Sequence, residues 1–116
     1  MEMNFICYPK CSTCKKAQVF LEGKGKSFSI RNIALENPSE EELHDWIEKS
    51  GLPVKRFFNT SGQLYRQMEL KDKLKDMTEE EQVKLLATNG MLVKRPILVA
   101  GNKVLVGFKE AEWEAV

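Results

Sequence analysis

An α/β fold on a mixed sheet is predicted by three observations in this 116-residue sequence. Its first part places one helix-spaced stretch between two short apolar runs. Two capped helix starts follow, at Ser39 and Thr78. Near the end, two further apolar runs are separated only by Gly101-Asn102. The implied order is β-α-β, a helical block, then β-β-α.

Each element has a local cause. In Met3 to Tyr8, Met3, Phe5 and Cys7 alternate with Asn4, Ile6 and Tyr8, the period of a short buried strand. Pro9 ends it, because proline lacks an amide donor and fixes its own φ. Cys14, Ala17, Phe20 and Leu21 then recur at three- and four-residue spacing, predicting an amphipathic helix from Ser12 to about Glu22. Gly23 and Gly25 stop it. Over Ser27 to Ile33, Phe28 and Ile30 alternate with Ser29 and Arg31, a second strand. A β-α-β unit of this kind implies a right-handed crossover and a parallel pair. Ser39, followed by three glutamates, is a helix start with Glu42 as capping-box partner. Leu43, Trp46 and Ile47 supply its apolar stripe, and Gly51 with Pro53 ends it. Thr78 with Glu81 repeats the start signal ahead of Val83, Leu85 and Leu86, and Asn89-Gly90 is the stop. Short helical pieces are expected between the two helices. Gly101-Asn102 suits a two-residue hairpin turn between Ile97–Val99 and Val104–Val106. A closing helix is expected over 108–114, framed on Trp113's side by Phe108, Ala111 and Glu112. This order is the thioredoxin-like plan: one domain over 1–116, with a helical insertion at about 38–92.

Composition narrows the function classes. With 18 basic and 17 acidic residues the net charge is +1, which argues against broad nucleic-acid or membrane-surface binding. No apolar run approaches the ~20 residues that span a bilayer. Neither a basic n-region nor an apolar h-region is visible at the start. Three cysteines, an odd count, fit a reducing compartment better than an oxidised secreted scaffold. The expected location is the cytoplasm.

The chemistry concentrates in Tyr8-Pro9-Lys10-Cys11-Ser12-Thr13-Cys14-Lys15-Lys16. A C-x-x-C at a strand-to-helix junction is a redox arrangement. Cys11 stands where helix amides and dipole favour thiolate, with Lys10, Lys15 and Lys16 nearby, so it is the candidate attacking thiol. Cys14, one turn on, is the candidate resolving thiol. A zinc site would need two more ligands, and Cys7 and His44 lack the spacing, so no metal is expected. Cys7 reads as an apolar filler and His44 as a solvated helix residue. Arg95-Pro96 opens the third strand. If that proline is cis and packs on the C-x-x-C turn, as the plan favours, Arg95 lies near Cys11 and can hold an oxyanion or thiolate. On sequence alone, a surface arginine in a loop has equal weight. Ser12, Thr13, Lys15, Arg95 and Pro96 are the candidate substrate-binding residues. Asn59-Thr60-Ser61-Gly62 reads as a turn whose polar side chains can line the same cleft.

These residues, with Phe57-Phe58-Asn59-Thr60-Ser61-Gly62, Lys94-Arg95-Pro96-Ile97 and Val106-Gly107-Phe108, make the whole chain resemble the glutaredoxin-linked arsenate reductase family. That family also contains the Spx-type transcriptional regulators. The second and fourth segments resemble a small arsenate-reductase-like bacterial branch. The resemblance implies that Cys11 is the nucleophile and Arg95 the arginine before the proline. It also implies no bound cofactor and a reductant such as glutathione with glutaredoxin, or a thioredoxin-type thiol. Two departures stand out: family arginines fall about where this chain has Asn59 and near Gly107. Each lost charged hydrogen bond removes roughly 1.5–3 kcal/mol of oxyanion affinity. Cys14, in turn, is a Spx-like feature. The expectation is therefore a small thiol–disulfide oxidoreductase acting on arsenate or a disulfide, partnered by a reducing thiol, with no membrane or direct nucleic-acid contact. The alternative is a redox-sensing regulator that binds RNA polymerase. Spx-type proteins carry a basic tail beyond the last helix, and acidic residues flank Trp113 here, which ranks that alternative second.

Overall fold

The computed structural model describes residues 3–116. Its sheet has four strands: β1 (Met3–Cys7), β2 (Phe28–Asn32), β3 (Ile97–Ala100) and β4 (Lys103–Val106), in the order β2-β1-β3-β4. β1 runs parallel to β2 and antiparallel to β3, and β4 is antiparallel to β3. The sheet is mixed, as the sequence predicts. Ala100 pairs with Lys103, so Gly101-Asn102 is the two-residue turn, and Gly101 takes the left-handed conformation (φ 61°).

Because strand side chains alternate, both faces of the sheet are buried by different residues. Phe5, Cys7, Leu98 and Leu105 face α1 (Ser12–Gly23) and α6 (Glu110–Trp113), packing with Cys14, Ala17, Leu21 and Trp113. Ile6, Ile97, Val104 and Val106 join the opposite core, where a run of helical segments from Glu40 to Leu92 contributes Leu43, Trp46, Phe57, Phe58, Val83 and Leu86. Fully burying such side chains contributes about 1.5–3 kcal/mol each.

Both predicted capping boxes form, at α2 (Glu40–Ser50) and α5 (Glu79–Leu86). The Ser39 hydroxyl accepts from the Glu42 amide, and the Thr78 hydroxyl from the Glu81 amide, at 3.1 Å each. Glu42 has a second task. Its carboxylate takes a two-pronged pair of hydrogen bonds from Arg31 on β2, at 2.6 and 2.9 Å, tying the edge strand to α2. Gly51 ends α2 in the left-handed conformation. Short pieces fill the interval as expected: a 3-10 turn at Val54–Phe57, α3 (Gln63–Gln67), α4 (Leu70–Lys73) and a turn at Leu74–Asp76.

Two local expectations change. Ile30 shares a strand face with Phe28 but is 55% exposed, since β2 is an edge strand, whereas Phe28, edge-on to Phe5, is partly covered. The closing helix is shorter than 108–114, and of Ala111, Glu112 and Trp113 only Trp113 is buried.

One close approach sets up a stability test. Gly90 is buried, and a Cβ there would lie 1.9 Å from the Ile33 carbonyl oxygen. Ile33 cannot yield freely, because its amide donates to the Cys7 carbonyl at 2.8 Å. Gly90→Ala is expected to destabilise by about 3 kcal/mol or more. Gly23→Ala, with nothing within 4 Å, is expected to be neutral or mildly stabilising. Urea unfolding of the pair measures the difference.

Candidate functional site

The C-x-x-C sits where β1 turns into α1. The chain leaves β1 through Pro9-Lys10, the Cys11 amide donates to the Tyr8 carbonyl at 3.0 Å, and the Cys11 carbonyl accepts from Lys15 at 3.1 Å as the first bond of the helix. Cys11 is therefore the N-cap residue, half-buried, with extended backbone and all three cysteines free. Its side chain lies outside cap hydrogen-bond geometry. The amides of Cys14 and Thr13 are nonetheless directed closely enough at the sulfur to stabilise negative charge there.

The two thiols are pushed in opposite directions. Burial raises the Cys11 pKa, but the Cys14 amide, the Cys14 thiol, the Thr13 amide and the Arg95 charge together outweigh it, leaving Cys11 below its ordinary value of 9.0. Cys14 is pushed up to about 12, mainly by burial and further by the hydrogen bond and charge of Cys11, while the Tyr8 amide, 3.4 Å from its sulfur, opposes the rise. Cys7 is buried in the same core as Cys14, and burial followed by the Cys11 charge raises its pKa too. The result is one thiol poised to ionise at the surface, backed by two kept protonated.

Cys11 opens into a cavity of about 520 Å³, which Thr13, Phe58, Asn59, Thr60, Ser61, Arg95 and Gly107 also line. The Arg95–Pro96 peptide bond is cis. Arg95 stacks its guanidinium over the Tyr8 ring at 5.1 Å, and its Nη1 donates to the Met91 carbonyl at 3.4 Å. Gly107, left-handed at φ 76°, donates its amide to the Pro96 carbonyl at 2.8 Å, so the loop after β4 is fastened to the proline beneath the cavity.

Of the candidate residues, Cys11, Thr13 and Arg95 line this cavity together. Cys14 lies buried behind Cys11, Pro96 is buried under Arg95's segment, and Ser12 is exposed outside the lining. Lys15 faces elsewhere, into a shallow groove with Lys16, Val19, Phe20, Phe108 and Glu110. The positive charge that acts on Cys11 is that of Arg95 rather than of the flanking lysines. Asn59 and Gly107, close to where the resemblance puts two further arginines, do border the cavity. Sequence reasoning missed Lys55, Arg56, Lys94 and Lys109, which also line it. A signal was there, since each lies within a few residues of Phe58-Asn59, Arg95-Pro96 or Gly107-Phe108. His44 is remote in role, exposed and paired with Glu80 at 3.1 Å. Among the described residues no cluster of three or more ligand-type side chains has metal-holding geometry, and no helix is long and apolar enough to cross a membrane.

The Arg95 contribution is testable by pH. With its pKa lowered, Cys11 remains thiolate at pH values where an ordinary thiol is protonated, so alkylation by iodoacetamide should have its midpoint below 9.0. Arg95→Met is expected to move that midpoint up and slow alkylation at pH 6, and Arg95→Lys to restore part of the shift. The stability signs are opposite for the two thiols. Cys11 contributes stability at pH above the unfolded thiol value, fading as pH falls through its lowered folded pKa. Cys14 contributes below the unfolded value, and its share is lost as pH rises toward about 12.

Comparison with known proteins shows where the chain belongs. The ArsC family model matches residues 7–116. An uncharacterised Bacillus subtilis protein, YusI, is 54% identical over 98% of this chain and 97% of its own length. The regulatory protein MgsR of the same species is 28% identical over 96% of this chain and 86% of its length. A crystal structure from Bacteroides fragilis, described as related to the ArsC family, superposes with a TM-score of 0.97 at 55% identity, covering 99% of this chain and 97% of that one. A possible arsenate reductase from Streptococcus mutans gives 0.89 at 41% identity, covering 97% and 96%. The match begins at Cys7, takes in the whole cysteine loop, and runs through the proline segment to Val116: the chain belongs to the ArsC family.

Proposed function

We propose that this protein is a small thiol–disulfide oxidoreductase in which Cys11 attacks and Cys14 resolves. The observation that carries the reading is the opposed pair of thiols, one lowered and half-exposed in a cavity, the other buried and held near 12. A nucleophile must be ionised while free, whereas a resolving thiol must wait until an adduct forms. The substrate is a disulfide or arsenate. The reductant is a cellular thiol, either glutathione with glutaredoxin or a thioredoxin-type dithiol. Single-turnover oxidation of the reduced protein, by arsenate in one arm and oxidised glutathione in another, tests this by mass spectrometry. Loss of two hydrogens with a Cys11–Cys14 cross-link is the expected product. If neither oxidant reacts faster with the protein than with a free thiol, the enzyme reading fails.

The likeness to the regulatory protein MgsR and to Spx global transcriptional regulators favours a second reading, a redox switch of the Spx type in which the same cysteine pair governs binding to RNA polymerase. Strong, oxidation-dependent capture of the polymerase α-subunit by the purified protein would put it first.

A further inference from the structure

The cavity over Cys11 is larger and more cationic than an inorganic oxyanion requires. Five cations line it, Lys55, Arg56, Lys94, Arg95 and Lys109, with no carboxylate among the lining residues. Lys109 lies 3.9 Å from Glu112, and the other four are in no ion pair among the described residues. In a chain of net charge +1, that is a marked local segregation of charge. The cations come from three separate segments, so one tetrahedral centre has little use for all of them. A small oxyanion displaces only a few waters, each about 30 Å³. The cavity's 520 Å³ instead falls in the ~300–1,000 Å³ range of organic-ligand pockets. The half-buried Leu52 and Phe108 add apolar wall, a surface that an inorganic ion leaves unused.

We infer that the substrate is an organic disulfide whose thiol portion carries several negative charges, phosphate or carboxylate. Its apolar stem lies along Leu52 and Phe108, and its anions rest among Lys55, Arg56, Lys94 and Lys109. The inference rests on the oxidoreductase reading above and specifies its substrate class. The Cys11 thiolate attacks one sulfur of R–S–S–R; that S–S bond breaks and the first R–S⁻ leaves. Cys14 then gives up its proton and attacks the Cys11 sulfur, and the second R–S⁻ leaves as the Cys11–Cys14 bond forms. The two protein thiols supply two electrons, the substrate becomes two thiols, and their thiolates take up the protons released. A dithiol reductant then restores the pair.

The test uses reduced full-length protein in single turnover, so that no reductant is needed. Its probes are coenzyme A disulfide (phosphates), glutathione disulfide (carboxylates) and bis(2-hydroxyethyl) disulfide (neutral). Each rate is divided by that of a free model thiol with the same probe. Anionic probes should show an advantage of about 10- to 100-fold over the neutral one. That advantage should shrink strongly at about 1 M salt, where the screening length is only ~3 Å. In Lys55→Glu/Arg56→Glu, the anionic-to-neutral ratio should fall toward one. The salt series on unmodified protein carries the test even if the double variant folds poorly. An advantage confined to coenzyme A disulfide assigns the anion as phosphate, and one shared by glutathione disulfide extends it to carboxylates; both uphold the inference. A neutral probe as fast as the anionic ones, or a salt-independent ratio, overturns it while leaving the oxidoreductase reading intact. No acceleration with any disulfide overturns the inference, and the oxidoreductase reading falls with it when arsenate is equally unreactive.

Discussion

Cys14→Ser is expected to halt disulfide reduction halfway, leaving a stable mixed disulfide on Cys11 whose mass equals the protein plus one half of the substrate. Cys11→Ser should lower the rate of oxidation by about 10³-fold or more, since the remaining thiols are buried and protonated. The asymmetry follows from how the two sulfurs act on each other. In the reduced protein the Cys14 thiol helps to hold Cys11 ionised, and the charge and hydrogen bond of Cys11 add to the burial that keeps Cys14 protonated. Once Cys11 is tied up in an adduct, its charge is gone. Both Cys11 contributions to the high Cys14 pKa then vanish, leaving burial and a smaller Cys7 contribution opposed by the Tyr8 amide. Cys14 becomes easier to ionise at the moment its attack is needed. Serine at 14 can still hydrogen-bond to Cys11 but cannot displace the leaving thiolate, so the first step survives and the second does not. Mass spectrometry of the products within one turnover separates the two variants. A Cys14→Ser protein that releases both product thiols would exclude Cys14 as resolver.

What could be read in the sequence was local, and what could not was tertiary. Ser39 with Glu42 and Thr78 with Glu81 are three apart, and each box satisfies amides within one helical turn, so nothing distant can alter it. Gly101-Asn102 is likewise its own explanation. The fold order follows from such pieces, because short connections and handedness leave few ways to assemble them. By contrast, Glu42's pairing with Arg31 links a helix cap to an edge strand, and no spacing reports it. The charge around Cys11 is the larger case. From sequence, Lys10, Lys15 and Lys16 are the nearest cations, yet Lys15 and Lys16 face a groove of their own, and Arg95, from the far end of the chain, lowers the Cys11 pKa. The absence of the arginines that the resemblance implies about Asn59 and near Gly107 reads, taken alone, as a depleted anion site. Lys55, Arg56, Lys94 and Lys109 surround those same two positions in space, which a comparison of single positions does not register.

The largest stability loss is expected from Trp113→Ala, far from the cysteines in sequence but wedged under the same site. Trp113 is fully buried, edge-on to Phe5 at 6.1 Å and to Phe108 at 5.2 Å, and its indole N–H donates to the Gly107 carbonyl at 3.1 Å. A helix of four residues has little stability of its own; this side chain and Lys24, whose Nζ donates to the carbonyls of Trp113 and Glu114, hold it against the sheet. Removing the indole should cost about 3–5 kcal/mol from cavity and lost transfer, with the Gly107 carbonyl orphaned as well. For a chain of this size the melting temperature should fall by roughly 10–25 °C. Trp113→Phe refills most of the volume without the donor and should lie between the two. The effect should also reach the thiol site. Gly107 is bound on one side to Trp113 and on the other to Pro96, next to Arg95, so loosening it frees the segment that holds the charge facing Cys11. At a temperature where Trp113→Phe remains folded, its Cys11 alkylation midpoint should move up toward the ordinary thiol value. An unchanged midpoint would confine Trp113 to packing, and an unchanged melting temperature in Trp113→Ala would refute the account of the core.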